Sequence, residues 1–354
     1  ATSDMERSPI RESTEPLALL IAGPTASGKS ALAIRLAKAR NGVVINADSM
    51  QVYAPLRVLT ARPTVAEEAE APHLLFGHVA PDAPYSVAAW LEEAAGALHT
   101  CRQSGQLPIF VGGTGLYFRA LLEGLSEIPP VPTAIRTEVR ALALAVPASE
   151  LHRHLADCDP LAASTLRPSD TQRIARALEV FRATGRSIRS FQGPRHGAVL
   201  SLERVAAVFL APDRAVLRTR IDARFDRMME EGALDEVKAL ARLDLDPALP
   251  VMRAHGVPSL LAALRGELSF AEAIEKGKAD TRHYARRQHT WFRHQLPDFQ
   301  WVLPDEAEAL LQARQAARTG GRWDEADAIR DRLTSLHVVI KDTPGGSTWE
   351  IAAD

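Results

Sequence analysis

The amino-acid sequence predicts an α/β fold: a parallel sheet flanked by helices, interrupted by a helical insertion and followed by a small C-terminal appendage. Three observations carry this prediction. Short apolar runs at residues 17–22, 42–48 and 108–111 end in polar or glycine-rich turns and alternate with helical patterns, as strands of a parallel sheet do. A further apolar run, Val205–Pro212, returns after a long helical, arginine-rich block, so that block reads as inserted into the sheet domain. The tail beyond residue 305 then changes character again, with helices, a "VVIK" strand and a "DTPGGS" turn.

Taken in order, Leu17–Ala22 reads as a buried strand and Lys29–Arg40 as a helix with Gly42 just past its end. "GVVINADS" is a second strand ending at Asp48. Pro108–Val111 is a third, which ends in a glycine turn and enters the helix "LYFRALLEG". Ligands of such sheets sit at the carboxyl ends of the strands, so the turns after residues 22, 47 and 111 should converge on one edge. Beyond Gly124, "LSEIPPVPTAIR" is a proline-punctuated connector, and Thr133 to about Gly193 reads as helical. Residues 213–300 are mostly helical. The expected organisation is a disordered arm (1–16), a core with a helical extension (17–124 and 200–304), the insertion (125–199) and the appendage (305–354).

With 354 residues, 46% of them hydrophobic, the chain can bury a sizeable core. It should form more than one lobe, because single cores stop growing at roughly 250–300 residues. A net charge of −2 excludes a uniformly basic nucleic-acid binder but not local basic patches. Cys101 and Cys158 are too few for a zinc site of their own or a disulfide framework. No apolar run approaches the ~18 residues of a membrane span, and the N-terminus lacks a signal-peptide apolar region. The sequence therefore reads as a soluble, cytoplasmic monomer with no membrane partner.

"GPTASGKS" fits the P-loop pattern GxxxxGK[ST], and the fold is accordingly expected to be P-loop NTPase-like. Its residues are Gly23, Pro24, Thr25, Ala26, Ser27, Gly28, Lys29 and Ser30. Glycines let backbone N–H groups face an anion, Lys29 supplies a point charge, and Ser30 can ligate Mg²⁺. Only six of the 42 basic residues are lysine, which makes Lys29 conspicuous. The motif holds a polyphosphate without naming the reaction. "NADSMQVY" places Asp48 and Ser49 at the next strand end. Position alone reads Asp48 as a metal partner or general base, or as a turn cap. "VGGTGLY" offers Thr114 at the third strand end, either toward the same phosphates or as part of a tight strand-to-helix turn.

Two stretches concentrate arginine. Between Arg167 and Arg195 there are seven arginines and two acids. In "QRIARALEVF", Ile174, Ala177, Leu178 and Phe181 form the expected buried stripe, while Gln172, Arg173 and Arg176 point elsewhere, toward phosphates and base edges or simply toward solvent. "RHYARRQHTWFRHQ" carries Arg282, Arg286, Arg287 and Arg293 with Gln288 and three aromatics. Those aromatics either stack on RNA bases or fill the core.

Together, "GPTASGKS", "NADSMQVY", "TARP", "VGGTGLYFRALLEGL", "QRIARALEVFRATG" and "RRQHTWFR" resemble the bacterial tRNA dimethylallyltransferase (tRNA isopentenyltransferase) family, in the family's order over about residues 17–300. The resemblance implies transfer of a dimethylallyl group from dimethylallyl diphosphate to the exocyclic amine of the adenine 3′ of the tRNA anticodon, with Mg²⁺ as cofactor. It implies Asp48 as general base, with Thr25, Lys29 and Ser30 on diphosphate or Mg²⁺, assisted by Thr114 and Arg136. It also implies tRNA contacts from Asp48, Ser49, Met50 and Gln51, from Gln172, Arg173, Ile174, Ala175 and Arg176, and from Arg286, Arg287, Gln288 and Arg293. Thr114 and Arg136 would join them, and the insertion would grip the anticodon stem-loop. Where the family usually has Cys-x-Gly-Tyr-Arg or -Lys, this chain has "RAHGVPS", Arg253–Ser259. The tail is similar to the C-terminal end of cysteinyl-tRNA synthetases and reads as a further RNA contact. The competing functions are prenylation of free adenine nucleotides, a small-molecule kinase, and a non-enzymatic RNA-binding protein with a relic P-loop, against which the intact Lys29–Ser30 pair and Asp48 argue.

Overall fold

The structure, a computed structural model, describes residues 17–336, 338–344 and 346–351. The arm expected at 1–16 lies outside them. The sheet has six strands: β1 (Ala18–Ala22), β2 (Gly42–Asn46), β3 (His73–Leu74), β4 (Leu107–Gly112), β5 (Val205–Leu210) and β6 (Gln300–Val302). All pair in parallel, in the order β3-β2-β4-β1-β5-β6. The central strands β1 and β2 are buried along their whole length, which is why they read as unbroken apolar runs and not as alternating ones.

The connecting helices are α1 (Lys29–Arg40), α2 (Val65–Glu70), α3 (Val87–Gln103) and α4 (Gly115–Glu123). Helix α1 has the predicted bounds, and Asn41 in a left-handed conformation (φ 51°) ends it just before Gly42 opens β2. The chain forms two compact units: one from residues up to 119 and from 200 onward, the other from 120 to 199.

The 120–199 unit is built from α5 (Thr133–Ala145), α6 (Ala148–Cys158), α7 (Pro160–Ala163) and α8 (Thr171–Thr184). Their core gathers Val139, Leu151, Leu155, Ile174 and Leu178. Its two chain ends are drawn together, with Val199 N donating to Leu121 O and Leu125 N to His196 O. In α8 the buried stripe is Ile174, Ala177, Leu178 and Val180; Phe181, expected there, is only partly buried.

In the larger unit, α9 (Arg214–Glu230), α10 (Ala233–Arg242), α11 (Val257–Leu264) and α12 (Phe270–Gln295) follow β5. The aromatics of α12 turn inward: Phe292 packs on Phe118, Phe209 and Phe299, which decides for the core reading of that ring. The tail forms α13 (Pro304–Thr319), α14 (Trp323–Ser335) and the antiparallel pair β7 (Val338–Thr343) and β8 (Gly346–Ile351).

This tail is no loose attachment. Leu311, Leu333, Val338 and Trp349 share one core with Ile21, Leu32, Leu36 and Val208 of the sheet and α1. Arg35 of α1 lies over the Trp349 ring at 5.3 Å, and Trp349 Nε1 donates to Glu308 at 2.7 Å. The tail's resemblance predicts an RNA contact; its arginines are engaged internally: Arg314 and Arg318 on Asp342, Arg332 on Glu306, Arg322 on Glu325. Trp349→Ala is therefore expected to destabilise the whole larger unit, by about 3–5 kcal/mol as for a buried tryptophan in a well-packed core. Urea unfolding monitored by circular dichroism checks this; a change confined to loss of the tail signal would contradict it.

Candidate active site

The turns after β1, β2 and β4 meet at the carboxyl edge of the sheet. After β1 the chain folds as a phosphate loop. Ala26 (φ 62°) and Gly28 (φ 90°) both take left-handed conformations, and Gly28 is the N-cap of α1. Alternating hand turns successive N–H groups to one side, and the helix N-terminus adds its partial positive charge. Lys29 is 8% exposed and its Nζ donates to Pro24 O at 3.1 Å. Burial lowers its pKa to about 8, with Asp48 pulling upward and Arg224 adding a smaller downward push.

After β2, Asp48 is fixed by its backbone. The fully buried Asn46 accepts from Asp48 N and donates to the carbonyls of Asp48 and Leu75, at 2.8–3.0 Å. Asp48 Oδ1 accepts from Met50 N at 2.8 Å and Gln51 N at 3.3 Å, so half of the carboxylate does cap its own turn. The turn is clamped from β4. A Cβ on Gly112 would fall on the Ala47 carbonyl, so that close approach requires glycine, and one on Gly113 would meet the Gln288 amide. Thr114 Oγ1 accepts from Ser49 N at 2.9 Å and lies 3.3 Å from Ser49 Oγ. Expected at the phosphates, Thr114 instead holds the Asp48 turn.

These elements enclose a cavity of about 260 Å³. Thr25, Lys29 and Ser30 line it together with Asp48, Ser49, Met50 and Gln51, and α12 contributes Tyr284, Arg287 and Gln288. The structure thus unites the P-loop with the acid that sequence placed there.

Several expected RNA-binding residues take other roles. Ile174 is fully buried in the core of the 120–199 unit, so its side chain cannot reach a ligand. Gln288 is buried and donates to Gly113 O at 2.9 Å, while Gln51 spends its amide on the carbonyls of Thr60 and Ala61. Gln172 and Arg173 are exposed, and Ala175 and Arg176 half-buried, on α8. The acids that pair the arginines there include residues outside the predicted block: Arg173 meets Asp170, Arg176 meets Glu179, Arg182 meets Glu138 and Arg195 meets Glu123. Arg136 is exposed on α5 in the same unit. Arg286, Arg287 and Arg293 are exposed on α12, with Arg287 over the Tyr284 ring and Arg293 over Trp301.

Sequence reading missed Arg224, whose Nη1 donates to Thr25 Oγ1 at 3.2 Å beside the P-loop. Its pKa is lowered by burial and then by Arg227. Its signal was available: Ile221, Arg224, Phe225 and Met228 share one face of α9, and a cation on an otherwise apolar face calls for an anionic partner. His255, in the divergent "RAHGVPS" stretch, also faces the cavity and packs on Tyr284 at 4.8 Å. Its pKa is lowered by burial and then by Arg287.

The geometry is that of a phosphate cradle sharing a chamber with a carboxylate, and comparison with known proteins identifies the family. The family model described as IPP transferase matches residues 51–295, and that described as isopentenyl transferase matches 17–73. The chain belongs to the IPP transferase family. A "tRNA dimethylallyltransferase" of Beijerinckia indica is 61% identical over 298 residues, covering 84% of this chain and 99% of the relative. One from Rhodopseudomonas palustris is 56% identical over 312 residues, 88% of this chain and 97% of its own. Among solved IPP transferase structures, the Bacillus halodurans tRNA isopentenylpyrophosphate transferase is 34% identical, with a TM-score of 0.57, covering 80% of this chain and 88% of its own. A eukaryotic dimethylallyltransferase acting on tRNA is 26% identical with a TM-score of 0.67, covering 95% and 92%. Residues 302–349 match a different model, the cysteinyl-tRNA ligase anticodon binding domain. Among the described residues no helix is long and apolar enough to cross a membrane.

Lys29 gives the site a pH dependence of defined sign. Below about pH 8 its ammonium is charged in the empty site; above it, binding an anion must first take up a proton. Affinity for inorganic diphosphate is expected to weaken as pH rises through about 8, by up to tenfold per unit. In Lys29→Arg, whose guanidinium stays charged, this component should vanish while the ligand's own ionisation remains. Calorimetric titration of both proteins across pH 7–9.5 checks it; parallel profiles would contradict it.

Proposed function

We infer that this chain transfers a dimethylallyl group from dimethylallyl diphosphate to the exocyclic amine of the adenine 3′ of the tRNA anticodon, releasing diphosphate. The observation that carries this is the sharing of one cavity by Asp48 and the cationic cradle of Lys29 and Arg224. An adenine amine is a poor nucleophile, since its lone pair is delocalised into the ring. It needs a hydrogen-bond acceptor that takes its proton as the new C–N bond forms. The allylic carbon shares its developing positive charge over three atoms, so its C–O bond breaks readily once the departing diphosphate is neutralised. Asp48 takes the proton; Lys29, Arg224, Thr25 and the loop N–H groups take the leaving charge. A kinase would use the same cradle, but the family to which the chain belongs transfers prenyl groups.

Mg²⁺ fits this site in a particular way. Among the described residues no group of three His, Cys, Asp or Glu side chains could hold a metal. A cation would therefore be held by Ser30 and substrate oxygens, with water completing the shell, which is the mode Mg²⁺ favours. Bound there, it would supply further neutralisation of the diphosphate.

The anticodon stem-loop is assigned to the exposed Gln172 and Arg173 and the half-buried Arg176 of α8 and to Arg286, Arg287 and Arg293 of α12, with the target base flipped from its stack. Incubation with unmodified tRNA, Mg²⁺ and labelled dimethylallyl diphosphate tests the reading. Label is expected in RNA; label only in AMP would favour a free-nucleotide isopentenyltransferase instead.

Three variants refine the roles. Asp48→Asn keeps the cap to Met50 and Gln51 but removes charge and basicity, so single-turnover rates should fall about 10²–10⁴-fold while both substrates bind nearly as before. A near-normal rate would leave Asp48 as a turn cap only. Arg176→Ala and Arg287→Ala, separately, should weaken tRNA binding and reduce the log–log salt slope by roughly 0.7–0.9 each. Filter binding between 50 and 200 mM salt measures this, and an unchanged slope in both would remove these arginines from the phosphate contacts.

A further inference from the structure

Away from the P-loop residues, the cavity is walled by Leu59, Ile221, Phe225, Met228 and Ala254, all nine-tenths or more buried. This wall is held rigidly. Leu59 N donates to Glu236 Oε2 at 3.1 Å, and Arg57 N and Val58 N donate to Oε1 of the same carboxylate, so the loop carrying Leu59 is pinned to α10. Ile221, Phe225 and Met228 follow one face of α9.

Phe225 has the most constrained seat. A Cβ on Gly256 would come 3.0 Å from Leu59 Cδ2 and 3.2 Å from Phe225 Cζ. A Cβ on Gly277 would fall on the far edge of the Phe225 ring. Gly256 needs glycine for its backbone as well (φ 92°), but Gly277 lies inside α12, where glycine weakens a helix and no turn requires it. The space its missing side chain leaves is filled by the ring. Two glycines from separate segments therefore set how far Phe225 withdraws from the cavity.

We propose that Phe225, seated against Gly256 and Gly277, closes the apolar end of the cavity and sets the length of allylic chain the enzyme accepts, admitting five carbons and excluding ten. This rests on the dimethylallyl reading of the cavity. A pocket discriminates a single methylene by roughly 10–200-fold, so a wall placed one isoprene unit too near gives strong exclusion. Opening it should relax that exclusion without touching Lys29, Arg224 or Asp48.

The test measures kcat/KM with tRNA and either dimethylallyl or geranyl diphosphate. In Phe225→Ala the geranyl-to-dimethylallyl ratio is expected to rise at least tenfold over the wild type. Gly277→Ala pushes the ring into the cavity and should raise KM for dimethylallyl diphosphate several-fold. In the Phe225→Ala background the same glycine change should have little effect, since there is no ring to displace. An unchanged ratio in Phe225→Ala, or an equal cost of Gly277→Ala in both backgrounds, overturns the proposal and leaves Phe225 as core packing alone. Should Phe225→Ala fail to fold, Phe225→Leu removes the outer ring atoms and is read by the same ratio. Wild-type turnover of dimethylallyl diphosphate, measured alongside, tests the underlying reading separately.

Discussion

Burial of the Lys29 ammonium is the constraint around which the site is arranged. A cation that is 8% exposed is costly unless something nearby prefers it charged. In the free protein the Pro24 carbonyl and Asp48 do this only in part, since the pKa still falls to about 8. Arg224, beside Thr25, adds a second cation to the same small volume. Two desolvated cations near one helix N-terminus form a site that an anion of high charge completes. A diphosphate leaving group would meet that need, and the match would strengthen as charge develops on it, the condition for lowering a barrier and not merely tightening binding.

The carboxylate is held by a different device. Asp48 owes its position to Asn46, Gly112, Thr114 and Ser49. Close contact between the β2 and β4 turns allows no side chain at Gly112, so the spacing between strand ends becomes a fixed spacing between acid and cradle. Gln288 of α12 donates to Gly113 beside the same turn. The long helix therefore does two jobs: one face supports the site, and its exposed arginines remain available to a polyanion.

The appendage is characterised by its packing. Between residues 305 and 354 ten acidic residues outnumber six basic ones, and Arg314, Arg318 and Arg332 are paired within the module. Its resemblance to an anticodon-binding domain describes its ancestry of sequence; its packing makes it a cover for one face of the P-loop sheet.

The sequence by itself determined the sheet class, the bounds of α1, the P-loop and the acid at the end of β2, because each is local: strand burial, helix period and strand-end chemistry are set by near neighbours in the chain. It also carried six ordered motifs specific enough to place the family. Only the tertiary structure decided which side of each motif faces inward. Ile174 lies inside a stretch read as RNA-contacting yet belongs to the core, since a helix must bury one face and the stretch spans both. Thr114 braces the Asp48 turn because β2 and β4 are neighbours, an adjacency no local pattern encodes. Arg224 and Phe225 are consecutive residues on α9, one serving the anion and the other the apolar wall. Their roles depend on Thr25, Gly256 and Gly277, which approach α9 from distant parts of the chain.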